Sequence, residues 1–292
     1  DVERSRGLGD VYKRQRREVV KGGIDALKAV WHRGAVDADG KTGDGAGILT
    51  QIPDNFFDDE IAKTGHEKRE EPLGIGMMFL PRNDYVALEK CRTIIESELL
   101  DHGYYIYGWR QVPINNSVIG EKANSTRPEI EQVMFVNNIE RGKNFDYSKE
   151  LYLVRRRLEK RIAKQQINGF YVCSLSFESI IYKGLFLAEQ LSIFYPDLAN
   201  ESFVSSYAVF HQRYSTNTFP SWGLAQPFRM LAHNGEINTI SGNTNWMRNH
   251  QTRIASEIFG DDSEQVKPII EKNVSDSAAL DAAFELYVRA CL

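Results

Sequence analysis

The apolar positions lay out the chain's elements. Val20, Ile24, Leu27 and Trp31 recur at spacings of four, three and four, which is one face of an amphipathic helix ending near Gly34. A glycine-rich loop from Gly43 to Gly47 leads into the apolar segment 48–52, and after an acidic stretch, 58–71, the run 75–80 reads as a buried strand. Asp84 caps the next helix, whose face is Leu88, Cys91, Ile95 and Leu99 and whose stop is Gly103. Strands are expected at 104–109 and 132–136. A second long helix carries Leu151, Val154, Leu158 and Ile162 on one face, with Arg155, Arg156, Arg157, Lys160 and Arg161 around it. That basic run reads as a solvated face, the alternative being a surface for an acidic partner. Residues 170–177 and 180–185 suggest a hairpin, 207–214 and 230–237 further strands, and 243–255 and 276–292 helices. Strands without strict β-α-β alternation, between helices, predict a layered α+β sandwich and not a doubly wound parallel sheet.

Composition narrows the classes. With 292 residues, 42% hydrophobic and 26% charged, the chain is an ordinary globular one of one large domain or two small ones. Its 36 basic and 40 acidic residues give a net charge of −4 without long blocks, which excludes a nucleic-acid footprint or a basic membrane surface. No apolar run approaches the roughly 20 residues of a membrane span, and no secretory signal opens the chain. Cys91, Cys173 and Cys291 are odd in number and show no C-x-x-C spacing, so neither a disulfide framework nor a zinc site is indicated. A cytoplasmic protein is expected. Residues 1–15 lack periodicity and read as a non-native or disordered tail, leaving 16–292 as the folded domain. Its closing helix stops at Leu292 without a Gly or Pro signal, so that domain is expected to be incomplete.

Polar and glycine residues concentrate at 32–47, 211–222 and 232–245. Each has a structural and a chemical reading. Asn234-Gly235 is either a hairpin turn or an oxyanion hole, in which a side-chain amide and the next backbone N–H converge on one point. Arg213, within a strand pattern, forms a structural ion pair or captures a substrate carboxylate. Asp276, in Ser-Asp-Ser at a helix start, is an N-cap or the counter-charge for a substrate ammonium. The Gly43-x-Gly45-x-Gly47 run lacks the Lys-Ser/Thr of a phosphate loop and holds Asp44, which would repel an anion. His32, His211, His233 and His250 show no metal-ligand spacing, and Trp222 and Trp246 are expected in the core.

Together, HRGA (32–35), TGDGAGILTQIP (42–53), HQRYSTNTFPSWGLAQPFRMLAHNGEIN (211–238), GNTNWM (242–247) and SDSAALD (275–281) resemble the glutamine amidotransferase domain of the glutamate synthase large subunit. That is a class II, N-terminal-nucleophile amidotransferase, and the resemblance covers residues 16–292. It implies the four-layer αββα sandwich of N-terminal-nucleophile hydrolases. Arg213 is then similar to the arginine that grips the glutamine α-carboxylate, and Asp276 to the aspartate that receives its α-ammonium. Asn234 and Gly235 resemble the oxyanion-hole pair. The implied reaction is hydrolysis of glutamine to glutamate and ammonia by an N-terminal cysteine whose own α-amino group is the base. The ammonia would pass to 2-oxoglutarate in a downstream synthase domain of the same parent chain, which holds FMN and an iron–sulfur cluster and is served by a small electron-donating subunit. This chain opens instead on Asp1, and Cys91 reads as inert core. The fragment is therefore expected to lack its nucleophile, to be inactive and to bind no cofactor. The alternatives are a catalytically silent glutamine-binding module or another class II amidotransferase.

Overall fold

The structure is a computed structural model and describes residues 16–142, 144–212, 219–272 and 274–290. Along the chain run α1 (Arg17–Ala29), β1 (Ala46–Gln51), α2 (Asp54–Lys63), β2 (Leu73–Leu80), α3 (Tyr85–Asp101), β3 (Tyr104–Gln111) and β4 (Glu129–Asn137). Then come α4 (Tyr147–Lys164), β5 (Tyr171–Ser176), β6 (Ser179–Gly184), β7 (Ala208–Gln212), α5 (Ile240–Phe259) and α6 (Asp276–Arg289). One sheet has the order β6-β1-β7 and the other β3-β4-β2-β5, and every pairing is antiparallel. In the first, Ile48 stands opposite Tyr182 and Phe210.

Side-chain alternation explains why the sheets stack. On β2, Ile75, Met77 and Phe79 point into the core shared with the other sheet, while Met78 and Leu80 join a second core under α3 and α4. Every residue of β2 is accordingly buried, as a strand covered on both faces must be. α1 packs on the first sheet, with Val20, Ile24 and Leu27 in the apolar cluster that holds Ile48 and with Gly23 against Ala208 and Ile48. The layers are thus helix, sheet, sheet and helices, the expected αββα sandwich. Asp84 caps α3 by accepting from the Ala87 amide at 2.9 Å, and Gly103, at φ +75°, ends it as read from the sequence. Among the described residues no helix is long and apolar enough to cross a membrane.

Four expectations are corrected. Residues 230–237 form no strand, because side chains take their amides before a ladder can. Asp281 Oδ1 accepts from the Met230 and Leu231 amides at 2.8 and 3.2 Å, Gln226 Oε1 from that of His233 at 2.7 Å, and Asp276 Oδ2 from that of Ile237 at 2.8 Å. The basic run of α4 is not a solvated face: Arg155 and Arg156 are buried. Arg155 donates to Glu159 at 2.7 Å and Glu285 at 2.6 Å, and Arg156 to Glu159 at 2.8 Å and Glu271 at 3.0 Å. The acidic partner is this chain's own segment after α5. Burial alone would push the Glu159 carboxyl up, but Arg155 and Arg156 outweigh it and hold the group at about 2. Residues 170–177 and 180–185 form no hairpin: β5 pairs with β2 and β6 with β1, in different sheets. Within the acidic stretch 58–71 runs the second half of α2, which buries Phe56, Phe57 and Ile61. Trp222 is buried as expected, whereas Trp246 is exposed and stacks on His250 at 5.9 Å.

The glycine run that enters β1 is a packing device. A Cβ on Gly43 would lie 2.0 Å from the Phe186 carbonyl oxygen, and one on Gly47 would lie 2.6 Å from that of Gln226.

Candidate active site

α1 hands the chain to a single turn, Trp31–Arg33, which carries Arg33 to the 230–237 loop. With the Asn234 carboxamide oriented so that its oxygen faces the guanidinium, that oxygen accepts from Arg33 Nη1 at 3.0 Å and Nη2 at 2.7 Å. The orientation follows from the hydrogen-bonding groups, since the reverse would set donor against donor. It turns the Asn234 Nδ2 hydrogens away from Arg33, towards any other acceptor that arrives.

The second wall is the start of α6. Ser275 is its N-cap, accepting from the Ala278 amide at 3.1 Å, so Asp276 is not used as the cap. The buried Asp276 carboxylate instead accepts from the Ser277 amide at 2.7 Å and reaches across to the Ile237 amide at 2.8 Å. The helix N-terminus favours its negative charge. Asp281 is held one turn further on, and there burial outweighs the attraction of Arg229 and raises its pKa.

His233 binds these parts together. Its ring Nδ1 lies 2.9 Å from Ser277 Oγ, and its carbonyl accepts from Gln226 Nε2 and His211 Nε2, each at 3.1 Å. The end of β7, the Gln226 turn, the 230–237 loop and the head of α6 therefore form one connected frame. Gln212, at the end of β7, is buried, and among the described residues neither end of its carboxamide has a hydrogen-bond partner. It lies against Gly34, where a Cβ would sit 2.0 Å from its Nε2. Such an orphaned buried amide marks a wall able to receive a polar group.

Of the residues expected at the site, Asn234, Gly235 and Asp276 share this frame. No strand flanks Asn234-Gly235 among the described residues, which removes the hairpin reading. Arg213 lies outside the described residues. Arg33, Gln226, His233 and Ser277 were not assigned roles from the sequence. Arg33 was visible only as part of HRGA, and Gln226 had no local signal, because its role depends on a contact within a folded turn.

Cys91 and Cys173 are buried, and burial pushes their thiols up to about 11 and about 12. Neither can supply a thiolate near neutral pH. Cys291 lies outside the described residues. Among the described residues no three His, Cys, Asp or Glu side chains gather to hold a metal ion.

Residues 8–292 match the model of the family described as glutamine amidotransferases class-II. The chain is 60% identical over 276 residues to the glutamate synthase [NADPH] large chain of Azospirillum brasilense, covering 94% of this chain and 18% of that protein. It is 42% identical over 274 residues to the chloroplastic ferredoxin-dependent glutamate synthase of Spinacia oleracea, covering 93% and 17%. With the glutamate synthase [NADPH] large chain of Bacillus subtilis it shares 41% over 277 residues, covering 95% and 18%. The chain thus spans less than a fifth of the length of these curated relatives. It belongs to the class II glutamine amidotransferases.

Proposed function

We propose that this chain is the glutaminase part of a longer glutamate-forming enzyme, and that its site takes glutamine. The observation that carries the reading is the shared frame of the Arg33-held Asn234 and the buried Asp276. Asp276 receives the α-ammonium and Arg213 the α-carboxylate, so the substrate amide points at Asn234 and Gly235. A cysteine thiolate adds to the amide carbon, and the oxyanion that forms is received by Asn234 Nδ2 and the Gly235 N–H. Collapse breaks the C–N bond. The α-amino group of the nucleophile carries the thiol proton to the leaving nitrogen, which departs as ammonia. Water then cleaves the thioester, giving glutamate and the free thiol.

The nucleophile in this reading opens a strand placed ahead of α1. That placement is supported by the antiparallel bridge in which the Arg16 amide donates to the Ser205 carbonyl at 2.8 Å and the Ser205 amide to the Arg16 carbonyl at 3.2 Å. A strand continuing that bridge backwards would run along β7, which forms the edge of its sheet. Residues 1–15 occupy this place in the sequence and contain no cysteine.

The ammonia goes to 2-oxoglutarate in the remaining part of the parent polypeptide, which also holds FMN, an iron–sulfur cluster and the contact for a small electron-donating subunit. Among the described residues nothing fits an iron–sulfur cluster, since Cys91 and Cys173 lie in different cores. The whole enzyme is placed in the cytoplasm.

Glutamine titration by calorimetry tests the site. Asp276→Asn keeps one acceptor and removes the charge, and is expected to weaken binding at least about tenfold. Asp276→Ala also strands the buried Ser277 amide and the half-buried Ile237 amide, at a cost of about 1–3 kcal/mol of stability, so a thermal melt accompanies both variants. Unchanged affinity in a folded Asp276→Asn chain removes the assignment.

A further inference from the structure

Gln226 makes, with one side chain, the two hydrogen bonds that a neighbouring strand would make with its main chain. The chain doubles back at 228–231, where the Phe228 amide donates to the Leu231 carbonyl at 2.9 Å. Two residues further from that turn, at 226 and 233, an antiparallel ladder would exchange its next main-chain bonds. There the Gln226 carboxamide makes both instead, Oε1 accepting from the His233 amide at 2.7 Å and Nε2 donating to the His233 carbonyl at 3.1 Å. Gln226 is 1% exposed, and its turn is fastened to the first sheet. Gly47, having no Cβ, lets the Gln226 carbonyl close on β1, and the buried Lys183 of β6 donates to the Gly223 carbonyl at 2.8 Å.

The pairing stops at His233. A ladder running on would next engage 235 with 224, yet among the described residues the Gly235 amide donates to no protein acceptor. The His233 ring, 2.9 Å from Ser277 Oγ, lies 3.1 Å from where a Gly235 Cβ would stand. We propose that Gln226 is a positioning residue of the oxyanion hole. It holds His233 by both main-chain groups, so that Asn234 Nδ2 and the Gly235 N–H face the reacting amide together. The inference deepens the glutaminase reading of the site and rests on it. Donors act on developing charge only when their direction is set in advance, and a displacement of about 1 Å costs up to about 100-fold. Asp276 holds the same loop separately, at Ile237, so loss of the Gln226 clamp falls on the donors and leaves the ammonium contact in place.

Steady-state ammonia release by the parent enzyme carrying Q226L, similar in size and without hydrogen-bonding groups, tests the inference. A kcat at least about tenfold lower with KM within about threefold is expected. Unchanged kcat, or a raised KM at full kcat, overturns the proposal. If the thermal melt of Q226L departs from that of the unsubstituted enzyme, Q226M takes its place and is held to the same results. On an N234A background the effect of Q226L should shrink, because both changes act on one donor. An undiminished loss there would assign Gln226 to another step and overturn the proposal. An unsubstituted parent that releases no ammonia from glutamine removes the reading of the site, and the inference with it. Normal release that Q226L leaves untouched removes the inference alone.

Discussion

Replacing Asn234 by alanine lowers kcat for glutamine hydrolysis by the parent enzyme about 100- to 1000-fold while leaving KM nearly unchanged. The argument starts from the amide's orientation. Arg33 holds the Asn234 oxygen through two hydrogen bonds, 2.7 and 3.0 Å long, so the Nδ2 hydrogens are fixed before substrate arrives. A donor positioned in advance stabilises charge that develops only in the transition state, and its loss therefore falls on kcat. Arg33→Ala frees the same carboxamide to rotate and acts through the same step. The double variant should then be little worse than Asn234→Ala alone, since coupled residues do not add. A rise in KM with kcat intact would assign Asn234 to ground-state binding.

The largest structural effect is expected at Asp197. Arg110 on β3 donates to Asp197 Oδ1 and Oδ2 at 2.7 Å each, and both side chains are buried. Tyr182 on β6 donates its hydroxyl to the same carboxylate at 2.8 Å, while Glu60 and Gln132 take further guanidinium hydrogens at 2.7 and 3.0 Å. Asp197→Ala leaves the guanidinium in the interior with less than its full set of acceptors and should destabilise the fold by about 3–5 kcal/mol. That is a large share of the about 5–15 kcal/mol available to a domain. Urea unfolding measures it, and a loss below about 1 kcal/mol would mean that water reaches the guanidinium. Asp197→Asn keeps an acceptor for the tyrosine and should lose less.

Periodicity made α1, α3 and α4 legible, because each lays a row of apolar residues three or four apart on a sheet. β2 was legible as a continuous apolar run, and the cap at Asp84 as a local hydrogen bond. What failed was non-local. Residues 230–237 have the apolar content of a strand, yet Asp276 and Asp281, 39 to 51 residues later, take their amides. The arginines of α4 look like a surface until Glu271 and Glu285 fold back onto them. Turn chemistry, charge and motif resemblance singled out Asn234, Gly235 and Asp276, which share one frame, whereas the contact that orients Asn234 comes from Arg33, on another segment. No spacing along the chain encodes that contact.

Ammonia release from glutamine tests the central claim most directly. It would be measured for the 292-residue chain and for the same chain with a native Cys-led segment in place of residues 1–15. The account predicts release only by the Cys-led protein. Release by the chain that begins with Asp1, or none from a Cys-led protein that is folded and binds glutamine, would contradict it.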